Sequence, residues 1–208
     1  YSRDELKALA EVFDRHPHVY IMADEIYELI NFEGQHESIA QFEEIRDRVI
    51  LINGVSKGFA MTGWRIGYLA ARIDIAKACS KLQGQFTSGS CSIAQRAAIK
   101  AMETDPAETT HMLDKFRERR DLVLDLLKDI PGIKINQPKG AFYVFPDISH
   151  YFGTAAGSTQ ISNAADLCMY LLNTAYVALV PGDAFGDPNC IRFSYATSDK
   201  LLIEAVDR

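Results

Sequence analysis

The stretch that decides the fold is residues 53–70, NGVSKGFAMTGWRIGYLA, in which a lysine stands among small residues. An apolar run at residues 49–52 precedes this stretch, and a second apolar run at residues 66–71 overlaps its end. Neither run alternates with polar residues, which is typical of strands buried on both faces. The pattern therefore predicts a strand, a turn and a second strand, with Lys57 close to the end of the first strand.

Strand and helix patterns alternate around this stretch. Residues 19–23 form another short apolar run, and residues 73–82 and 93–102 carry apolar side chains at helical spacing. Strands that alternate with helices predict an α/β fold with a largely parallel sheet. Ser2 and Glu5 form a capping box, which predicts a helix over Arg3–Asp14.

The second half of the chain has a different pattern. A long amphipathic helix follows residue 105 and ends before Pro131-Gly132, and we place a domain boundary at its start, which gives domains 1–105 and 106–208. Further along the chain we predict strands at residues 140–145 and 191–195. Between them we predict a helix at residues 164–174 and a mobile loop at residues 153–162.

Composition and charge exclude several classes of partner. The chain has 208 residues, of which 48% are hydrophobic, and its net charge of -6 argues against nucleic acids and anionic membranes, which need a basic face. No apolar run reaches the length of about 20 residues that a membrane helix needs. The four cysteines lack the close pairs of a zinc site and are too sparse for a disulfide scaffold. We expect a cytoplasmic protein with reduced thiols and without a metal ion.

Two charged residues occupy the ends of predicted strands, where ligands of open α/β sheets bind. Asp24 directly follows the run at residues 19–23, and Lys57 closely follows the run at residues 49–52. Both charges are expected to be buried, so each needs a partner. The pair is either a structural ion pair or the two flanks of a charged cofactor, because lysine is the side chain that condenses with an aldehyde.

Four separated motifs follow one another along the chain. They are ADEIYE at residues 23–28, NGVSKGFAMTGWRIGY at 53–68, GAFYVFP at 140–146 and IRFSYATS at 191–198. In this order they resemble the fold type I aminotransferases that use pyridoxal 5'-phosphate, and within that family the bacterial aspartate aminotransferases. The resemblance implies an α/β fold made of part of the large parallel-sheet cofactor domain and the small C-terminal α+β domain.

The resemblance also implies roles for the residues around the opening stretch. Lys57 would bind the cofactor aldehyde as a Schiff base and later move the substrate proton. Asp24 would pair with the pyridinium nitrogen, and Tyr27 would hydrogen-bond the phenolic oxygen of the cofactor. Ser56 and Arg65 would bind the cofactor in the same turn region, with the arginine fork on the phosphate.

In the second domain the resemblance implies that Arg192 clamps the α-carboxylate of the substrate in a bidentate pair. Taken alone, each residue also has a structural interpretation. Tyr27 could be a half-buried packing residue, Arg65 a surface ion pair and Arg192 part of an exposed strand face, and we expect Trp64 in the core. Many family members place a phosphate-binding serine where this chain has Gly54.

The expected function is transfer of an amino group between an L-amino acid, with aspartate as the expected donor, and a 2-oxo acid. The alternative on the same fold is a cofactor-dependent carbon–sulfur β-lyase. In the family, the glycine-rich phosphate loop and the aromatic residue that stacks on the cofactor precede the motifs found here. We therefore expect the chain to be the C-terminal half of a homodimeric enzyme, and to be inactive and a poor cofactor binder by itself.

Overall fold

A computed structural model describes residues 1–157 and 159–208, apart from the side chain of Pro106. The chain divides into two units, Tyr1–Thr110 and His111–Arg208. The domain boundary that we predict between residues 105 and 106 concerns the functional division of the chain, and it remains a prediction. The helices and strands of the first unit are α1 (Arg3–Asp14), β1 (Ile21–Asp24), α2 (Glu43–Arg46), β2 (Val49–Gly54), β3 (Gly67–Ala70), α3 (Ile73–Phe86) and α4 (Ser92–Met102).

Helix α1 forms as predicted and packs on the sheet of the first unit. The Ser2 side chain accepts a hydrogen bond from the Glu5 backbone, and the Glu5 carboxylate accepts one from the Ser2 backbone at 2.7 Å. This reciprocal pair satisfies donors that the first helical turn would otherwise leave open. The apolar face of α1 joins the first strand, the second strand and the segment between them in one core, made of Leu6, Ala10, Ile21, Ile39, Ile45 and Val49.

The sheet of the first unit is mixed, with strand order β1-β2-β3. Strands β1 and β2 are parallel and confirm the predicted α/β arrangement, whereas β3 runs antiparallel to β2. The prediction that the third strand is buried on both faces is wrong in this chain, because all four residues of β3 are exposed. Residues 60–66 reverse the chain directly after the Lys57 turn, so β3 returns beside β2 as an antiparallel strand without a helical crossover.

The described residues of the second unit form short strands and three α-helices. The elements are α5 (Thr110–Leu127), β4 (Tyr143–Val144), β5 (Thr154–Ala156), β6 (Thr159–Ile161), α6 (Ala164–Ala175), β7 (Val180–Pro181), β8 (Ile191–Ser194) and α7 (Asp199–Asp207). Strands β4, β8 and β7 form an antiparallel sheet in that order, and helix α6 packs its buried Ala164 and Cys168 with Ile148 and Ile191.

Residues 153–162, predicted as a mobile loop, instead contain a β-hairpin. Thr154 pairs with Ile161 and Ala156 pairs with Thr159, while Ser158 lies outside the described residues. The small and polar residues suggested a loop, but Ile161 is buried and anchors the hairpin to its unit. Among the described helices of the whole chain, none has the length and apolar character needed to cross a membrane.

Candidate active site

The sheet of the first unit gathers the predicted site residues at one edge. Because β1 and β2 are parallel, their carboxyl ends lie side by side, with Asp24 paired in register with Ile52. Strand β3 runs the other way, so its amino end meets the same edge, where Gly67 pairs with Gly54. Lys57 lies just beyond the end of β2, and Arg65 lies just before β3. Register alone therefore brings three chain segments with charged side chains to one edge.

Lys57 and Tyr27 lie on two turns that pack against each other. The Lys57 Nζ atom lies over the Tyr27 ring, 5.7 Å from its centroid. The neighbouring Gly58 makes this approach possible, because a Cβ atom there would lie 2.7 Å from Cδ1 of Leu29 and 3.1 Å from its Cβ. Both Lys57 and Tyr27 are half-buried. Tyr27 is therefore half-buried, as its packing interpretation predicts, and it also lies beside Lys57.

Gly54 allows a second close approach at the same edge. A Cβ atom at this position would lie 2.8 Å from the backbone oxygen of Ile66 and 3.3 Å from Cδ1 of Ile26. A side chain such as serine would therefore push β3 away from β2. The glycine that departs from the family pattern has a local packing reason in this chain.

Asp24 is exposed, so the prediction of a buried carboxylate is wrong for this chain. As the last residue of β1, it points its carboxylate beyond the sheet, where Oδ1 accepts a hydrogen bond of 3.2 Å from the Ile26 backbone. Such a turn, closed by an aspartate side chain, supplies a backbone hydrogen-bond donor to the carboxylate, which therefore needs no buried cation. The backbone of Glu25 donates to Ile52 at 2.8 Å, which holds this turn against the end of β2.

Glu25 is the polar residue that the sequence pattern did not single out. Its side chain is only 9% exposed, with Oε2 2.9 Å from Nε2 of His36 and Oε1 2.7 Å from the Ser38 hydroxyl. A buried carboxylate needs such donors, and here they tie the segment around His36 to the end of β1. The signal available in the sequence was a second acid directly after Asp24, followed by His-x-Ser.

Arg65 is exposed and adopts a left-handed backbone conformation with φ 57°. Its Nη1 atom donates to the backbone oxygen of Thr62 at 2.8 Å, which turns the side chain back over its own loop. Ala60, with φ 53°, is a second left-handed residue on the same connection. Non-glycine residues in this region carry strain of about 1–3 kcal/mol each, which is concentrated at functional sites. Ser56 is half-buried in the turn that holds Lys57.

A cavity of about 870 Å³ lies beside Arg65. Trp64 borders it and is 47% exposed, so the prediction of a core tryptophan is wrong, because its short helical turn faces the cavity. Thr87, Ser90 and Cys91 also line the cavity. Backbone N–H groups at the start of α4 lower the pKa of the Cys91 thiol from its ordinary value. The volume suits a cofactor-sized ligand.

The chemistry of these side chains fits pyridoxal 5'-phosphate. An amine, a carboxylate, a phenol and a guanidinium match its aldehyde, ring nitrogen, phenolic oxygen and phosphate respectively. The guanidinium belongs to Arg65, which borders the cavity. The other three groups belong to Lys57, Asp24 and Tyr27, which lie at the sheet edge. No group of three or more metal-binding side chains occurs in residues 1–157 and 159–208.

Arg192 lies in the second unit, on β8. Its neighbours Ile191 and Phe193 are 5% and 6% exposed, whereas Arg192 is half-buried on the other face of the strand, as the alternating pattern predicts. Its guanidinium carbon lies 4.5 Å from the centroid of the Tyr143 ring and 4.4 Å from that of Phe185. The sequence did not single out either ring, because their proximity depends on pairing between distant segments.

Comparison with known proteins gives one consistent result. The family model described as aminotransferase class I and II matches residues 1–208. The chain is 47% identical to the bifunctional aspartate aminotransferase and glutamate/aspartate-prephenate aminotransferase of Petunia hybrida, covering all of this chain and 44% of that protein. It is 44% identical to the aspartate/prephenate aminotransferase of Cereibacter sphaeroides, covering all of this chain and 53% of that protein.

The solved structures agree. The crystal structure of the aspartate aminotransferase from Rhizobium meliloti matches with a TM-score of 0.94 and 40% identity, over all of this chain and 52% of that one. The chain thus spans about half the length of the relatives that it matches. Fold, motif order and family match agree over the full chain, which belongs to the class I and II aminotransferases of fold type I.

Proposed function

We propose that the complete enzyme is a pyridoxal 5'-phosphate-dependent aminotransferase that moves the amino group of aspartate to a 2-oxo acid. The observation that carries the proposal is the sheet edge at which the Lys57 amine lies 5.7 Å from the centroid of the Tyr27 ring, beyond the paired ends of β1 and β2. Several relatives named as aspartate or aspartate/prephenate aminotransferases support aspartate as the amino donor.

Residues at the sheet edge would hold the cofactor. Lys57 would attach it covalently through Nζ, Asp24 would face its ring nitrogen, and Tyr27 would face its phenolic oxygen. Ser56 and Arg65 would bind the phosphate, for which the planar guanidinium offers parallel N–H donors. When bound, the cofactor supplies a ring that accepts the negative charge developing at the α-carbon of the substrate.

Each side chain then has a task that follows from its own chemistry. The carboxylate of Asp24 keeps a proton on the group that it faces, because an opposite charge at short range favours the protonated cation. The Lys57 amine would take the α-proton of the substrate as a general base and would donate a proton on the cofactor side as a general acid, which moves the proton between two carbons through a single nitrogen. The ring of Tyr27 limits the directions that Nζ can take.

Arg192 would bind the α-carboxylate of the amino acid. Its fork makes two parallel N–H donors available, which fixes the orientation of the substrate as well as adding affinity. Oriented binding matters because proton transfer requires the α-hydrogen to point at the accepting nitrogen. The half-buried position of Arg192 between two rings is consistent with a cation that is held in one direction.

The proposal extends to the assembly. We expect a homodimer, in line with the family, and a cytoplasmic location, which is supported by four cysteines that are all free thiols. Functional domains at 1–105 and 106–208 would divide cofactor binding from carboxylate binding, with Lys57 in the first and Arg192 in the second.

The test is product analysis with the complete enzyme and added cofactor. Aspartate and 2-oxoglutarate are supplied, and oxaloacetate and glutamate are measured; a panel of other amino donors follows. Lys57→Ala should abolish transfer, while Lys77→Ala, which changes an exposed lysine on α3, should keep it. Release of pyruvate and ammonia from a sulfur-containing amino acid without any acceptor would instead assign the β-lyase function.

A further inference from the structure

The guanidinium of Arg192 lies against two aromatic rings that belong to different parts of the second unit. Its carbon lies 4.5 Å from the Tyr143 ring centroid and 4.4 Å from the Phe185 ring centroid. Both distances are within the roughly 6 Å over which a cation is attracted to the face of a ring. We refer to Tyr143 and Phe185 as the aromatic clamp.

Strand pairing places the first ring. Tyr143 on β4 pairs with Ser194 on β8, and the two strands are antiparallel. Residues directly opposite each other share a face of the sheet, and so do residues two apart on one strand. Arg192 therefore lies on the same face as Tyr143, as its diagonal neighbour. The buried Tyr195 supports this pairing, because its hydroxyl donates to the backbone oxygen of Ala141 at 3.2 Å.

A tight loop places the second ring. Residues 182–190 leave β7 and return to β8, and Gly182 donates to the backbone oxygen of Cys190 at 2.8 Å. A Cβ atom on Gly182 would collide with backbone atoms of Asp187 and Cys190, so only glycine closes the loop this tightly. Gly186, with φ 86°, ends the short helical turn Gly182–Phe185.

Phe185 is also supported from its own side. The Phe145 ring meets it edge to face, with centroids 6.0 Å apart. Such a pair adds stabilisation beyond the burial of the two rings and fixes the plane of the ring that touches the cation. Phe185 is nevertheless 47% exposed. Its ring contacts are with Phe145 and Arg192.

The geometry has a consequence for the charge. The two rings lie close to the guanidinium carbon and restrict the movement of the planar group, which keeps N–H donors that suit a bidentate pair. None of the ion pairs found among residues 1–157 and 159–208 includes Arg192. An arginine that is fixed in this way loses less rotamer freedom when it binds a planar carboxylate in a bidentate pair.

We propose that Tyr143 and Phe185 are positioning residues, which act on the substrate through Arg192 by holding its guanidinium ready for a carboxylate. The proposal rests on the proposed function, in which Arg192 binds the substrate α-carboxylate. The clamp contributes to substrate affinity, because it lowers the entropic cost of forming the bidentate pair. Once the pair has formed, the pair itself orients the substrate for proton transfer at Lys57, so kcat should change little.

The experiment measures KM for aspartate and kcat in the complete enzyme for Phe185→Leu, Phe185→Tyr, Tyr143→Leu and a control. Phe185→Leu removes a ring face and is expected to raise KM about fivefold to thirtyfold, with kcat changed by less than about twofold. Phe185→Tyr keeps the aromatic ring, so its KM for aspartate should equal that of the unmodified enzyme. Phe152→Leu is the matched control, because Phe152 packs on the core around Ile148 and should leave KM unchanged.

The decisive comparison repeats Phe185→Leu in an Arg192→Lys background. If the clamp acts through the guanidinium, the added change in KM there should fall below about twofold, because lysine has no planar group to orient. An undiminished change in that background would overturn the clamp while leaving the proposed function intact. If Arg192→Lys alone leaves KM for aspartate unchanged, then the substrate-binding role of Arg192 fails, and the clamp proposal fails with it.

If Phe185→Leu does not fold, Phe185→Met provides a flexible side chain of similar volume without a ring face. A KM for Phe185→Met equal to that of the unmodified enzyme would also overturn the proposal.

Discussion

Gly58→Ala should destabilise the chain and displace Lys57, because the turn that carries Lys57 lies directly on Leu29. The added Cβ would lie 2.7 Å from Cδ1, 3.2 Å from Cγ and 3.1 Å from Cβ of Leu29. A rotamer change could move the first two atoms, but the Cβ of Leu29 is fixed by its backbone. The two turns must therefore separate by several tenths of an ångström.

Overpacking of this kind costs about 1–3 kcal/mol. For a chain of this size, each kcal/mol lowers the thermal midpoint by about 2–4 °C, so the midpoint of Gly58→Ala should fall by about 2–12 °C. The measurement is thermal unfolding followed by far-ultraviolet circular dichroism. In the complete enzyme, kcat should also fall by about tenfold to a hundredfold, because the Lys57 amine moves relative to the substrate.

Gly84→Ala is the matched control. Gly84 lies inside helix α3, and a Cβ there meets nothing within 4 Å. Alanine should stabilise this helix by about 0.5–1 kcal/mol, so the midpoint should rise and kcat should stay unchanged. A Gly58→Ala protein that unfolds at the same temperature as the Gly84→Ala protein, with full activity, would refute the packing of the two turns.

Three further predictions concern charge, a buried hydroxyl and thiol reactivity. Asp24→Ala should lower kcat of the complete enzyme far more than Asp24→Glu, which keeps the counter-charge; near-normal turnover of Asp24→Ala would leave this residue a structural role. Tyr195→Phe should cost about 0.5–1.5 kcal/mol in a denaturant titration, because the Ala141 carbonyl loses its 3.2 Å donor; an unchanged midpoint contradicts this. The lowered pKa of Cys91 increases its thiolate fraction at neutral pH, while burial raises the pKa of Cys190 to about 11. Mass mapping after brief maleimide treatment of the 208-residue chain should therefore find Cys91 modified first, and prior modification of Cys190 contradicts the assignment.

Local sequence signals predicted most of the elements. The capping box set the start of α1, apolar runs predicted β1 and β2, and an alternating pattern predicted β8, each to within a few residues. These signals are short-range, because they depend on helical spacing, strand alternation and the caps themselves. The residues 153–162 were misjudged because glycine, serine and threonine suit both loops and short hairpins.

Exposure was harder to predict than secondary structure. Trp64 was expected in the core because the aromatic residue that stacks on the cofactor precedes these motifs in the family, yet a short helical turn leaves 47% of Trp64 exposed beside the cavity. Asp24 was expected to be buried because it follows a buried strand, yet its carboxylate closes a local turn with Ile26. Residue type and position along the chain do not specify which way the end of a strand faces.

The parts of the site that depend on pairing between distant segments were not visible in the sequence. The hydrogen bonds of Glu25 with His36 and Ser38 join residues on separate loops, and the clamp on Arg192 combines two aromatic motifs. Such contacts require strand register and loop geometry, which single-residue patterns do not carry.

The central claim is that Lys57 is the residue that attaches the cofactor, and reductive trapping tests it most directly. The complete enzyme is loaded with pyridoxal 5'-phosphate, reduced with borohydride, digested and mapped by mass spectrometry. We predict one stoichiometric pyridoxyl group on the peptide that contains Lys57, and its loss in Lys57→Ala. A stoichiometric label on exposed Lys77 or Lys81 of α3, with Lys57 unlabelled, would contradict the account.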